Sequence, residues 1–162
     1  MTIRLLPGLG VELPWGEQPL RFGMTLDEVT GIVAPHADLH DTLVFHSAWA
    51  KRFSCDDLEL GVFAGEHDAL LGVSAFRSRD REAAHMPVGL DDIDLFGWPV
   101  DEVIDALRDA GRDVRVNNHG AQVDRDLRLT WLAPPPPPPA EPWRKPPSPF
   151  LNDLCLYAPD DR

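Results

Sequence analysis

The 162-residue chain is predicted to fold as an α+β protein, a tandem duplication of a β-α-β-β-β unit with both helices packed on antiparallel sheet. Two observations carry that expectation. The octapeptide Phe22-Gly-Met-Thr-Leu-Asp-Glu-Val29 shares five of its eight residues with Phe96-Gly-Trp-Pro-Val-Asp-Glu-Val103. The same succession of helix signals and apolar runs then follows in both halves. The units are placed at 1–77 and 88–162, joined by the charged, aperiodic segment 78–87. One small sheet with one helix gives little core, so the two units are expected to pack as one compact, pseudo-symmetric domain.

In the first unit Thr25 stands at a helix N-cap and Glu28 completes a capping box, with Asp27 and Glu28 suited to the positive end of the helix dipole. The apolar stripe Leu26, Val29, Ile32 and Val33 follows, and Pro35 ends the helix. In the second unit Pro99 opens the helix, Val100, Val103, Ile104 and Leu107 form the stripe, and Gly111 stops it. Strands are expected at 58–64 and 127–133, where apolar residues alternate, and at 70–76 and 151–157. Weaker strand candidates are Thr42 to Phe45 with Trp49 to Phe53, and Asp113 to Val116 with Ala121 to Val123. Between the last two strands the second unit carries Pro134 to Pro149, 16 residues of which ten are proline. Proline has no N–H for a ladder and fixes φ, so this loop should leave the sheet as an extended polyproline segment.

Fifteen Lys and Arg against 27 Asp and Glu give a net charge of −12. That balance argues against sequence-independent binding to nucleic acid or anionic membrane, both of which need cationic side chains. It suits a basic protein partner, with acidic runs at Asp56-Asp57, Asp91-Asp92 and the second helix start steering encounter. An uninterrupted apolar N-terminal run is lacking, because Pro7, Gly8 and Gly10 break it, and no 18-residue apolar stretch occurs. A cytoplasmic location is expected. For Cys55 and Cys155 the expectation is two reduced structural thiols, with a disulfide as the alternative.

The loop motif Pro139-Ala-Glu-Pro-Trp-Arg144 has the form of a Pro-x-x-Pro-x-basic ligand, and Trp143, Arg144 and Lys145 would be its anchors. His36, Asp38, His40 and Asp41 lie close enough in sequence for a divalent ion, but they follow no established metal spacing and are read as a solvated loop. A nucleophile elbow and a phosphate loop are both missing from the sequence. Accordingly no catalytic residue, cofactor or metal is expected, and the partner-binding candidates are Trp143, Arg144, Lys145, Asp56, Asp57, Asp91 and Asp92.

The phrase Leu20-Arg-Phe-Gly-Met-Thr-Leu-Asp-Glu-Val29, preceded by Pro7-Gly-Leu-Gly10, resembles the opening of a helix-plus-sheet module of small bacterial proteins. These include immunity proteins of polymorphic toxin systems and the tandem-repeat beta-lactamase inhibitory proteins. The resemblance implies a non-enzymatic binding protein of immunity or inhibitor type. Unlike the inhibitory proteins, which carry a disulfide in each half, this chain has one cysteine per half, and none of their contact residues maps onto it. The function expected is thus the masking of a basic partner. The alternative is a small-molecule or metal-dependent enzyme with a site between the repeats, using some of His36, Asp38, His40 and Asp41.

Overall fold

A computed structural model describes residues 1–77, 84–133, 139–143, 145 and 148–159. It is a mixed α+β protein, with two helices and two sheets built mainly of antiparallel strands among the described residues. The first half runs β1 (Ile3–Leu6), β2 (Gly10–Glu12), β3 (Leu20–Arg21), α1 (Leu26–Val33), β4 (His40–Asp41), β5 (Ala50–Cys55), β6 (Leu58–Ala64) and β7 (Leu70–Arg77). The second runs β8 (Val88–Leu90), β9 (Ile93–Asp94), α2 (Val100–Asp109), β10 (Val114–Val116), β11 (Gly120–Val123), β12 (Leu127–Thr130) and β13 (Asp153–Tyr157).

The short strands form a five-stranded sheet in the order β3-β2-β1-β8-β9, with β1 and β8 parallel. The longer ones form an eight-stranded antiparallel sheet in the order β10-β11-β12-β13-β7-β6-β5-β4. Its middle pair is the last strand of each half, with Leu154 opposite Ala75 and Leu156 opposite Val73. Because side chains alternate across a strand, every second residue points to the same face. Two apolar rows therefore cross the inner face of this sheet. Phe53, Leu60, Ala75, Leu154, Leu129 and Ala121 form one, and Val62, Val73, Leu156, Leu127 and Val123 the other. They share one buried cluster with Val29 and Val33 of α1, Val103 and Leu107 of α2, and the inward residues of the small sheet.

Both helices start where the capping signals put them. The Glu28 N–H donates to Thr25 Oγ1 at 3.4 Å and the Thr25 N–H donates back to Glu28 Oε2 at 2.8 Å. That bonding holds the Glu28 carboxyl below its ordinary pKa, the backbone donor being the larger cause. Pro99, the N-cap of α2, supplies no side-chain cap. Two orphan donors of α2 are met from outside the helix: the Val100 N–H donates to the Pro149 carbonyl at 2.8 Å and the Asp101 N–H to Ser148 Oγ at 3.3 Å. The far end of the proline-rich loop thus closes the N-terminus of α2. Gly111, at φ +84°, ends that helix in a conformation that side chains disfavour.

Several expectations are corrected. Thr42 to Phe45 is not strand: β4 is only His40–Asp41, and the chain then leaves the sheet until Ala50. A strand needs both a ladder partner and a surface to pack on, and Leu43 and Phe45 are 99% and 97% exposed. β12 stops at Thr130 rather than Ala133, and β13 starts at Asp153 rather than Leu151. Three short strands precede α1 where one was expected, and with β8 and β9 they build the second sheet. The expected linker is partly core: Met86 is buried and the Pro87 carbonyl accepts from the Ile3 N–H. Residues 78–83 of that linker, and Pro134 to Pro138, Arg144, Pro146 and Pro147 of the proline-rich loop, lie outside the described residues. Among the described residues no helix is long and apolar enough to cross a membrane.

Asp56 and Asp57 form the tight turn between β5 and β6, with Asp56 at φ 56°. The Asp57 carboxylate accepts from the His85 N–H at 2.6 Å and the Met86 N–H at 2.9 Å, pinning the start of the second half to the first. Partial burial alone would raise its pKa, but these backbone donors together outweigh burial and hold it below the ordinary value. A carboxyl with a depressed folded pKa stabilises fully above its unfolded value near 4 and loses that contribution as pH falls through the folded value. Asp57→Ala should therefore cost about 2 kcal/mol at pH 7. In urea titrations the gap from the native chain should close below about pH 3; a gap independent of pH would contradict this role.

Candidate docking face

The outer face of the eight-stranded sheet carries the candidate site. Helices and small sheet both pack on the inner face; of the outward residues Gly61, Gly72 and Ser74 are buried under their neighbours, while Arg52, Glu59 and Phe76 are exposed. One cross-strand row reads Arg52, Gly61, Ser74, Cys155, Arg128, Gln122 and Arg115. A second holds Glu59, Phe76, Asp153 and Thr130, and a third Phe63, Gly72 and Tyr157. The middle of the face is built of small residues, and neighbouring side chains lie over its glycines. A Cβ at Gly72 would run into the Phe63 ring, and one at Gly61 into Ser74 Oγ at 2.5 Å. Phe63 meets Tyr157 edge-on, with ring centroids 6.0 Å apart. Phe76 remains 42% exposed, and Leu71, pushed out beside the bulge where Ala64 pairs with Leu70, is exposed as well.

The charges of this face are largely balanced among themselves. Arg52 pairs with Glu59 at 3.4 Å and Arg115 with Asp113 at 3.1 Å, while Arg128 is close enough to Tyr157 to act on its hydroxyl. Burial first, then the Cys155 contact, pushes the Tyr157 hydroxyl up to about 12, so it stays protonated and able to donate. At one end of the face Leu71, Arg115, Gln122 and Tyr157 line a broad depression together with Pro7 and Gly8.

The segment between β4 and β5 adds an apolar tip. Its bend is fixed by the Ser47 hydroxyl donating to the Val44 carbonyl at 2.6 Å and by His46 at φ 62°. Its far side is tied back by the Ala48 N–H on the Gly65 carbonyl and the Ala64 N–H on the Trp49 carbonyl, both at 2.9 Å. This anchored bend leaves Leu43 and Phe45 out in water at the end of the sheet where β5 and β6 pair.

The residues expected to bind a partner are scattered. Trp143 is 80% exposed and Lys145 is exposed; Arg144 lies outside the described residues. Asp91 and Asp92 form the two-residue turn between β8 and β9, at φ 50° and 66°, the backbone of a type I′ hairpin in which aspartate is favoured. Asp91 also pairs with Arg112, whose other arm holds Asp124 at 2.8 Å. Two of the acidic runs thus sit in hairpin turns, and none of the described ones among these residues is in the cross-strand rows of the sheet face. The sequence reading missed Leu43, Phe45, Phe63, Phe76 and Tyr157. The signal present was apolar side chains at outward positions of strands whose inward positions were already apolar.

Among the described residues no three His, Cys, Asp or Glu side chains converge to hold an ion. His36 stacks on Trp15 at 4.8 Å, and the Asp41 carboxylate is paired with Lys51. The cysteines are unpaired thiols, Cys55 in the core and Cys155 on the outer face. Burial is the main cause that pushes each up to about 11, so neither is a thiolate at neutral pH. Alkylation by iodoacetamide at pH 8 should be slow in the native protein and fast in urea; rapid native labelling would contradict this. No family model, curated protein or solved structure matches the chain.

Proposed function

We propose that this chain is a non-enzymatic protein-binding module of the immunity or inhibitor kind, which holds a basic partner on the uncovered face of its large sheet. The observations that carry the proposal are the exposed apolar tip Leu43 and Phe45 and the rings Phe63, Phe76 and Tyr157 at outward positions of the large sheet. Large apolar side chains solvated together mark interaction surfaces, and aromatic anchors dominate interface energies. A partner seated there would be occluded sterically. The face is nearly charge-balanced, so the net −12 acts through its long-range field, speeding encounter with a basic protein and fading with salt. In the same reading the chain is a tandem duplication working in the cytoplasm. Support for duplication comes from the repeated octapeptide, the shared strand-helix-strands order and a large sheet whose strand order is mirrored about β13 and β7.

Copurification of the tagged chain from its native cells at low salt tests the reading. A stoichiometric basic protein, released as salt rises and not retained by Leu43→Asp/Phe45→Asp, is the expected result. Recovery of no partner, or of one held equally by that variant, would overturn it.

A further inference from the structure

We infer a second binding site on the helix side of the molecule, a groove that takes an arginine side chain from an extended basic segment of a protein. The groove, about 300 Å³, runs between the β8–β9 turn and α2. Ile93, Val103 and Ala106 line it with apolar surface, the Trp98 indole forms a wall, and Asp92, Asp94 and Glu102 stand around it.

The indole is the unusual part. Trp98 occupies the place that Met24 holds in the first half, two residues after the phenylalanine of the shared octapeptide. Met24 is partly buried and built into the sheet: its carbonyl accepts from Leu70 and its sulfur from the Arg21 N–H. Trp98 is instead 56% exposed between fixed neighbours, the buried Phe96 and the start of α2, where Pro99 bridges to Phe150. The turn thus presents a large aromatic face to solvent at a fixed position.

Charge complementarity selects the occupant. Among the described residues the three titratable side chains lining the groove are all carboxylates. The nearby Arg112 is engaged by Asp91 and Asp124. Asp94 spends one oxygen on the Val88 and Phe96 N–H groups and packs the other against Gly97, which fixes its carboxylate at the edge of the groove. A guanidinium suits such a place: its plane stacks on an indole, its N–H fork donates to carboxylates, and its methylene stem covers apolar surface. The groove is on the opposite side of the large sheet from the docking face, so a partner engaging both would have to reach around an edge with an extended segment.

The test uses the whole chain labelled with ¹⁵N, the Trp98 indole signal being assigned with Trp98→Phe. The probe is the blocked peptide acetyl-Gly-Arg-Arg-Gly-amide, with the citrulline peptide as its uncharged control. The arginine peptide should move the Trp98 signal saturably and leave the other indoles in place. Asp92→Asn/Glu102→Gln should weaken that binding by about tenfold, and 0.5 M salt should weaken it further. Equal shifts with citrulline, equal affinity in the double variant, or no shift would overturn the inference. A shift that follows protein concentration without peptide would assign the groove to a second copy and overturn it too. The titration involves no docking-face residue, so its failure is separable from failure of the proposed function.

Discussion

Replacing Leu43 and Phe45 together by aspartate is expected to abolish partner binding, at least about a hundredfold in Kd, while leaving the fold intact. Each anchor truncated at the centre of an interface typically costs about 2 kcal/mol or more, and two of them multiply. Both side chains are almost wholly in water in the free protein, so the substitutions remove no internal packing and stability should move by no more than about 0.5 kcal/mol. The sign of the charge makes the test sharp. Two added carboxylates strengthen the attraction to a basic partner, so any loss reflects apolar contact rather than steering. The serine pair Leu43→Ser/Phe45→Ser should lose nearly as much. Calorimetry with the copurified partner and thermal melts of each variant check both halves of the statement; unchanged affinity would remove the tip from the interface.

The second large effect is on stability. Phe96→Ala should destabilise the chain by about 3–5 kcal/mol, enough to unfold a marginal domain at 37 °C. Phe96 is fully buried between β9 and α2. Its own N–H donates to Asp94 Oδ1 at 3.2 Å, so the ring is fixed where the small sheet, α2 and the common core meet. Its counterpart Phe22 is only partly buried, and Phe22→Ala should cost less than half as much. Equal urea midpoint shifts for the two variants would contradict this unequal use of the shared octapeptide.

Elements with strong local chemistry were legible in the sequence. α1 follows from Thr25 and Glu28 at one end and Pro35 at the other, and β6 from Leu58, Leu60, Val62 and Ala64 at every second position. The small sheet was not, because strands of two to four residues broken by Pro7, Gly8 and Gly10 carry too few alternations to register. Thr42 to Phe45 misled for a physical reason. Its apolar, β-branched composition suits a strand, yet its side chains face water, which composition cannot reveal. The docking face was hidden by the same ambiguity. In β7 the run from Leu70 to Phe76 is apolar or small at every position, which reads as a strand covered on both sides; register alone puts Phe76 outward and Ala75 inward. The acidic runs also have local roles that composition does not show, since Asp57, Asp91 and Asp94 are tied to backbone donors or to Arg112.

Hydroxyl-radical footprinting of the chain alone and bound to its copurified partner tests the docking face most directly. Protection of Phe45, Phe63, Phe76 and Tyr157, with the solvent face of α1 unchanged, is the predicted pattern. Full reactivity of those four residues in a saturated complex would contradict it.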